Sequence, residues 1–233
     1  MNKSSERRVV EEFISHPSMK LLVRKLEDSE TPDFIIHLLN SKVSLEHTRL
    51  ISPKQKQKES FQKKIIKLAE DKFISLYNAS LNVGVSFSYQ PMNTKDMGEE
   101  YFVALIFNII ESIYLSNKER GFNITTKDFL EENKYIRTVY VHNDVTRSLW
   151  QKTGAYLVEY ADLKWIQSVI NKKSTLITQY NNTFAERWLL LEASIGHQSS
   201  GFRFEHIGNN LEKSGFDRVF IYERRPKELI EIP

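Results

Sequence analysis

The chain has 233 residues, 40% of them hydrophobic and 27% charged, which is enough apolar material for a folded core and argues against disorder or a fibrous repeat. Thirty-three Lys and Arg against 30 Asp and Glu leave a formal charge of +3, far below that of a dedicated nucleic-acid coat, so any basic surface is local. Cysteine is absent, which removes disulfides, thiol nucleophiles and cysteine-based zinc sites and suits a cytoplasmic protein. Glu11 and Glu12 fall where a secretory leader needs its apolar stretch. The longest apolar run, Phe102 to Ile110, is about half of the roughly 20 residues that cross a membrane, so no membrane partner is expected.

Val9, Val10, Phe13 and Ile14 recur at helical spacing, and after Pro17 the residues Leu21, Leu22 and Leu26 continue the period, which predicts a broken N-terminal helix. A polar connector ending in Thr31-Pro32 leads to a strand from Phe34 to Leu39, and Asn40-Ser41 turns the chain. From Lys42 the residues alternate, with Val43, Leu45 and His47 on one face and Ser44, Glu46 and Thr48 on the other, so the pair reads as a β-hairpin. His47 on the apolar face is expected to be a core histidine.

Pro53 to Tyr77 spaces Phe61, Ile65, Leu68, Phe73 and Leu76 along one side of an amphipathic helix. Its polar side is basic: between Pro53 and Lys67 there are six lysines and one glutamate. Leu81 to Phe87 alternates as a strand, ended by Gln90-Pro91-Met92-Asn93. A helix over 99–116 follows, then β-rich segments at 136–142 and 155–160, a helix over 161–180, and strands at 187–191 and 216–222. Strands separated by helices, with no Gly/Ser-rich linker, predict one α/β domain over 1–233, a central mixed sheet flanked by helices.

The segment with most chemical content is Pro32-Asp33-Phe34 followed by Ser44-Leu45-Glu46-His47-Thr48. A hairpin brings Asp33, at the mouth of the first strand, toward Glu46 on the polar face of the second. Two carboxylates converging at a sheet edge are what a hard, oxygen-seeking Mg²⁺ or Mn²⁺ requires. Asp33 and Glu46 are therefore the candidate metal ligands. The six histidines form no i,i+4 pair, and no glycine-rich phosphate loop or nucleophile elbow is present, which leaves zinc-protease, P-loop and serine-triad chemistry unsupported.

These residues resemble the restriction-endonuclease-like superfamily, whose signature is Pro-Asp…(Asp/Glu)-x-Lys. An N-terminal helix with a glutamate, here Glu12, precedes the Pro-Asp dipeptide, and Glu46-x-Thr48 stands at the second half of the signature. The helix and strand at 55–77 and 81–88 look similar to the family's core order, and Trp165-Ile166, Ile170, Lys173, Tyr180 and Trp188-Leu189-Leu190-Leu191 to its second half. The resemblance implies a restriction-endonuclease-like fold, Mg²⁺ or Mn²⁺ as cofactor, and hydrolysis of a nucleic-acid phosphodiester, with DNA ahead of RNA and a homodimer allowed. Its site residues are Glu12, Asp33, Glu46, Thr48 and a lysine.

Thr48 stands where the family has its lysine, and a neutral hydroxyl does not balance charge on a phosphate. Lys63, Lys64 or Lys173 can supply the amine from a helix, and Lys173 is carried in the candidate site. Read from spacing alone, Lys173 and Tyr180 are a solvent-side lysine and a tyrosine packed near the sheet. Lys54, Lys56, Lys63 and Lys64 are the candidate phosphate contacts. The alternative is a protein of this fold that has lost catalysis and binds nucleic acid or a protein partner.

Overall fold

The computed structural model describes residues 3–19, 23–92, 94–126, 133–180, 183–194, 196, 198–207 and 210–233. In chain order its elements are α1 (Lys3–Ile14), β1 (Lys25–Asp28), β2 (Phe34–His37), β3 (Lys42–Arg49), α2 (Pro53–Tyr77), β4 (Asn82–Phe87), α3 (Thr94–Asn117), β5 (Asn123–Thr126), β6 (Ile136–His142), β7 (Leu149–Lys152), β8 (Glu159–Tyr160), α4 (Leu163–Ser174), a 3₁₀ turn (Ile177–Gln179), β9 (Glu186–Ala193), β10 (Phe202–Arg203), β11 (Arg218–Glu223) and β12 (Glu228–Ile232). This is an α/β protein with mixed sheets. None of the described helices is long and apolar enough to cross a membrane.

The contacts resolve the chain into two compact units, 1–55 with 157–233, and 56–156, where the sequence reads as one domain with one central sheet. The chain passes between the units twice, inside α2 at 55/56 and between β7 and β8 at 156/157.

The first unit holds a six-stranded sheet in the order β1-β2-β3-β9-β11-β12. β1, β2 and β3 form an antiparallel meander, β3, β9 and β11 run parallel, and β12 returns antiparallel to β11. β8 and β10 pair separately. Strand alternation sends odd and even positions to opposite layers. Val43, Leu45, Trp188, Leu190, Phe220 and Tyr222 pack with Val9, Val10 and Phe13 of α1. Leu189, Leu191, Val219 and Ile221 pack with Ile166 and Ile170 of α4. Both sides of the central strands are thus covered, as parallel strands require.

The second unit holds the sheet β5-β6-β4-β7, with a core of Ile65, Ile66, Ala69 and Phe73 from α2, Phe102, Ile106 and Ile110 from α3, and Val83, Val85, Val139 and Val141 from the strands. The buried stripe of α2 is 65, 66, 69 and 73; Leu68 and Leu76, expected on that stripe, are exposed. A step of three residues turns back 60°, so a core centred on 65, 69 and 73 leaves Leu68 on its margin, whereas Leu76 is in line with the stripe but lies in the last turn of the helix. α3 is interrupted at Gly98, where φ is +71° and a side chain would be strained.

Other departures from the sequence reading are local. Leu26 lies in β1 instead of a second helical segment, while Leu21, Leu22 and Asn93 lie outside the described residues. The hairpin loop spans 38–41, four residues instead of two. The strand expected at 155–160 is only Glu159–Tyr160, whereas β5, β7 and β12 are additional short strands. The helix expected to reach Tyr180 stops at Ser174, where the hydroxyls of Ser174 and Thr175 donate to the carbonyls of Asn171 and Lys172.

Candidate functional site

The β2–β3 register, Phe34 opposite Leu45, continues to place Asp33 opposite Glu46. The turn before β2 is clamped from α1: Lys3 Nζ donates to the carbonyls of Ser29 (2.8 Å) and Asp33 (2.9 Å). The Asp33 carboxylate is fixed in turn, its Oδ2 accepting the backbone N–H of His47 at 2.9 Å. Glu46 sits in the middle of the sheet, between β2 and β9, and is 2% exposed.

Lys173 arrives from the other layer. Asp162 caps α4 by accepting from the N–H groups of Lys164 and Trp165, and Ile166 and Ile170 bury the helix against the sheet. Lys173 is three residues beyond Ile170, on the same side and in the last turn, where the helix dipole favours a cation. Its Nζ is 2.8 Å from Glu46 Oε2 and 3.4 Å from Asp33 Oδ2. The reading of Lys173 as a solvent-side lysine is thereby corrected: an end-of-helix position over a sheet edge reaches inward. Of the three lysines able to supply the amine, Lys173 is the one bonded to both carboxylates.

Tyr180 completes the group by a route that helical spacing did not anticipate. α4 ends, the 3₁₀ turn reverses the chain, and the phenol returns over the sheet with its ring 7% exposed. Its buried hydroxyl faces Glu46 and donates toward the carboxylate. Burial, then proximity to Glu46, push the phenol's pKa well up, so it stays protonated.

The electrostatics follow from burial and a charge count. Burial pushes the Glu46 carboxyl above its ordinary value; Lys173 and Tyr180 pull it back only in part, and the charge of Asp33 adds to the rise. Burial works against the Lys173 ammonium, but Glu46 and Asp33 outweigh it and raise its pKa. Two carboxylates therefore share one ammonium, and the cluster keeps an acidic excess when both are ionised.

The remaining expected residues lie elsewhere. Thr48 shares Glu46's side of β3, opposite Leu191, and among the described residues no hydrogen bond or ion pair joins it to Asp33, Glu46 or Lys173. Glu12 is in the α1 layer, across the sheet, where Arg8 (3.2 Å) and Arg224 (3.3 Å) hold it; its helix packs on the odd-numbered side of β3, so it cannot join Glu46. An open groove of about 430 Å³ lined by Arg8, Glu12, His16, Tyr222 and Lys227 lies beside it. His47 is a core histidine, its Nε2 3.3 Å from the fully buried Glu192. Lys54, Lys56, Lys63 and Lys64 are all exposed on α2, with Lys64 paired to Glu99 at 2.6 Å.

Among the described residues no three His, Asp or Glu side chains gather as a metal cage. Asp33 and Glu46 would hold an ion by two carboxylates, with water or substrate oxygens completing the shell. That donor set suits Mg²⁺, which commonly takes one or two carboxylates plus phosphate oxygens. No protein-family model, curated protein or solved structure matches this chain.

Proposed function

We propose that the unit formed by 1–55 and 157–233 is a restriction-endonuclease-like nuclease domain that hydrolyses nucleic-acid phosphodiesters with Mg²⁺ or Mn²⁺. The observation that carries this reading is the position of Lys173 Nζ, 2.8 Å and 3.4 Å from two carboxylates on paired strands. In this reading it supplies from a helix the amine that Thr48 lacks.

With 56–156 set aside, the order α1, β1, β2, β3, α4, β9 also agrees with the family's helix, hairpin, helix and strand. The segment after β3 that completes it is α4 with β9, since β9 pairs with β3 whereas β4 belongs to the other sheet. In this reading α4 and β9 take the place that the sequence alone suggests for 55–77 and 81–88.

In this mechanism Asp33 and Glu46 would hold the cation, whose chemistry there would be Lewis-acid activation of a phosphate oxygen and of a water. Asp33 is kept in place by the His47 N–H. The Lys173 ammonium lies where charge on the phosphate develops and stabilises it in a partly buried site, where such charges count for more than in water.

The test is cleavage of labelled DNA, with RNA in parallel, in Mg²⁺ or Mn²⁺. Wild type cuts at least one polymer; Asp33→Ala, Glu46→Ala and Lys173→Met each lower the rate by about 100-fold or more with circular dichroism unchanged. Equal cleavage by all three variants would contradict the assignment.

A further inference from the structure

Glu223 is a buried carboxylate that the nuclease chemistry above does not use. It ends β11 one alternation beyond Ile221, on the α4 side of the sheet, with Ala193 of β9 on one flank and Glu228 of β12 directly opposite on the other. Residues opposed in an antiparallel pair bring their Cβ atoms to about 5 Å, and like charges there repel. Glu223 is 8% exposed, yet among the described residues no hydrogen bond or ion pair reaches its carboxylate. The charges that it faces are Glu228 and Glu205, and Glu205 is itself held by Arg203 at 3.0 Å. Its oxygens still touch solvent. Arg224, next in the chain, turns to the other face and is bound to Glu12. Elsewhere on the same two strands Glu231 has Arg218 at 2.7 Å, so the lack of a cation is particular to the Glu223 end.

A buried carboxylate without a donor is disfavoured, and native proteins keep one mainly where a ligand completes it. Lys173 shows which group fits such a pair: there an ammonium on an alkyl chain bridges two carboxylates of paired strands, at 2.8 Å and 3.4 Å. An ammonium carries three donors, and its slender stem suits a carboxylate that is reached through a narrow opening. Among the described residues no third acidic or histidine side chain closes a metal cage around the two glutamates. We propose that Glu223 and Glu228 form a binding site for a primary alkylammonium group, carried by a free polyamine or by a lysine of a partner. The site is separate from Asp33 and Glu46 and does not depend on the nuclease reading.

The experiment adds spermidine or Nα-acetyl-lysine amide to wild type, Glu223→Gln and Glu231→Gln at pH 8, above the Glu223 pKa of about 7, and follows thermal midpoints and calorimetric affinity. The expected result is that at least one amine binds wild type and Glu231→Gln and raises their midpoints, while Glu223→Gln binds it about tenfold or more weakly, the worth of a hydrogen bond between charged groups. Tighter binding of spermidine supports the site with a free polyamine as its ligand, and tighter binding of the lysine derivative supports it with a protein partner. Equal affinity in Glu223→Gln and wild type overturns the proposal, as does binding of neither amine at millimolar concentration. An equal rise in midpoint from tetramethylammonium, which has no N–H to donate, also overturns it. Each of these failures leaves the nuclease reading standing.

Discussion

The six-stranded sheet carries a buried glutamate on each face, and the two are neutralised to different degrees. On the α1 side Glu192, fully buried, has Arg49 at 3.0 Å, His47 at 3.3 Å and Arg224 at 3.7 Å. Burial pushes its carboxyl up, but His47 and Arg49 outweigh burial and hold it below the ordinary range. On the α4 side Glu46, 2% exposed, shares one lysine with Asp33, and its carboxyl is raised. Residue type and burial are the same; the supply of cations differs. The first arrangement is complete as an ion cluster, whereas the second retains the acidic excess that a divalent cation would neutralise.

The largest effect that can break this comparison is on folding stability. Glu192→Ala leaves two arginines and His47 facing one another in a buried site, and chemical denaturation should show a loss of about 3–5 kcal/mol. Glu46→Gln should cost less than about 1 kcal/mol, because Lys173 keeps Asp33 and the carboxamide still accepts a hydrogen bond. Losses in the reverse order would mean that the Asp33 cluster, too, is structural.

The pH dependence sharpens it next. Glu46 has a folded pKa above its ordinary 4.5, so the folded state holds its proton longer and stability falls as pH rises past that value. Glu46→Gln should therefore gain on wild type as pH increases above about 4.5. Glu192 is lowered from 4.5, so its contribution is present above that value and is lost as pH falls through the depressed one. The deficit of Glu192→Gln should shrink in acid. Thermal midpoints measured across pH check both signs.

A smaller effect lies at the end of β11. Burial, then Glu228 and Glu205, push the Glu223 carboxyl up to about 7. Glu223→Gln should match wild type at pH 4 and unfold at a higher temperature than wild type above pH 7, since ionising this group costs stability only in the folded state. A midpoint that falls at high pH would show that a cation, not the solvent, compensates it.

The smallest expected effects are those of the α2 lysines. Lys56→Ala and Lys63→Ala should each reduce the slope of log affinity for DNA against log salt by about one if the residue meets a phosphate. An unchanged slope would leave these positions as a solvated helix face.

Much of the hairpin was legible because strand periodicity and the Pro-Asp dipeptide act locally: Asp33 and Glu46 are opposite one another as their spacing suggests. Lys173 was legible as a candidate but not as the choice, since three lysines lie on helices and only tertiary packing brings one of them to the carboxylates. Tyr180 was hidden by a helix end made from side-chain hydroxyls, after which the seven-residue spacing to Lys173 no longer means a shared face. Glu12 was misplaced because a helix of alternating charges does not reveal which side of the sheet it covers; Val9, Val10 and Phe13 decide that by packing against Val43, Leu45 and Trp188. The two-unit organisation left no mark because one crossing runs through a good helix and the other through a short loop without Gly/Ser-rich linker composition.

The most direct test is calorimetric titration of Mn²⁺ into wild type, Asp33→Ala/Glu46→Ala and Glu192→Gln. The account predicts binding to wild type, its loss in the double variant with the fold intact, and its retention in Glu192→Gln. Binding that survives in the double variant, or no binding to folded wild type at millimolar metal, would contradict it.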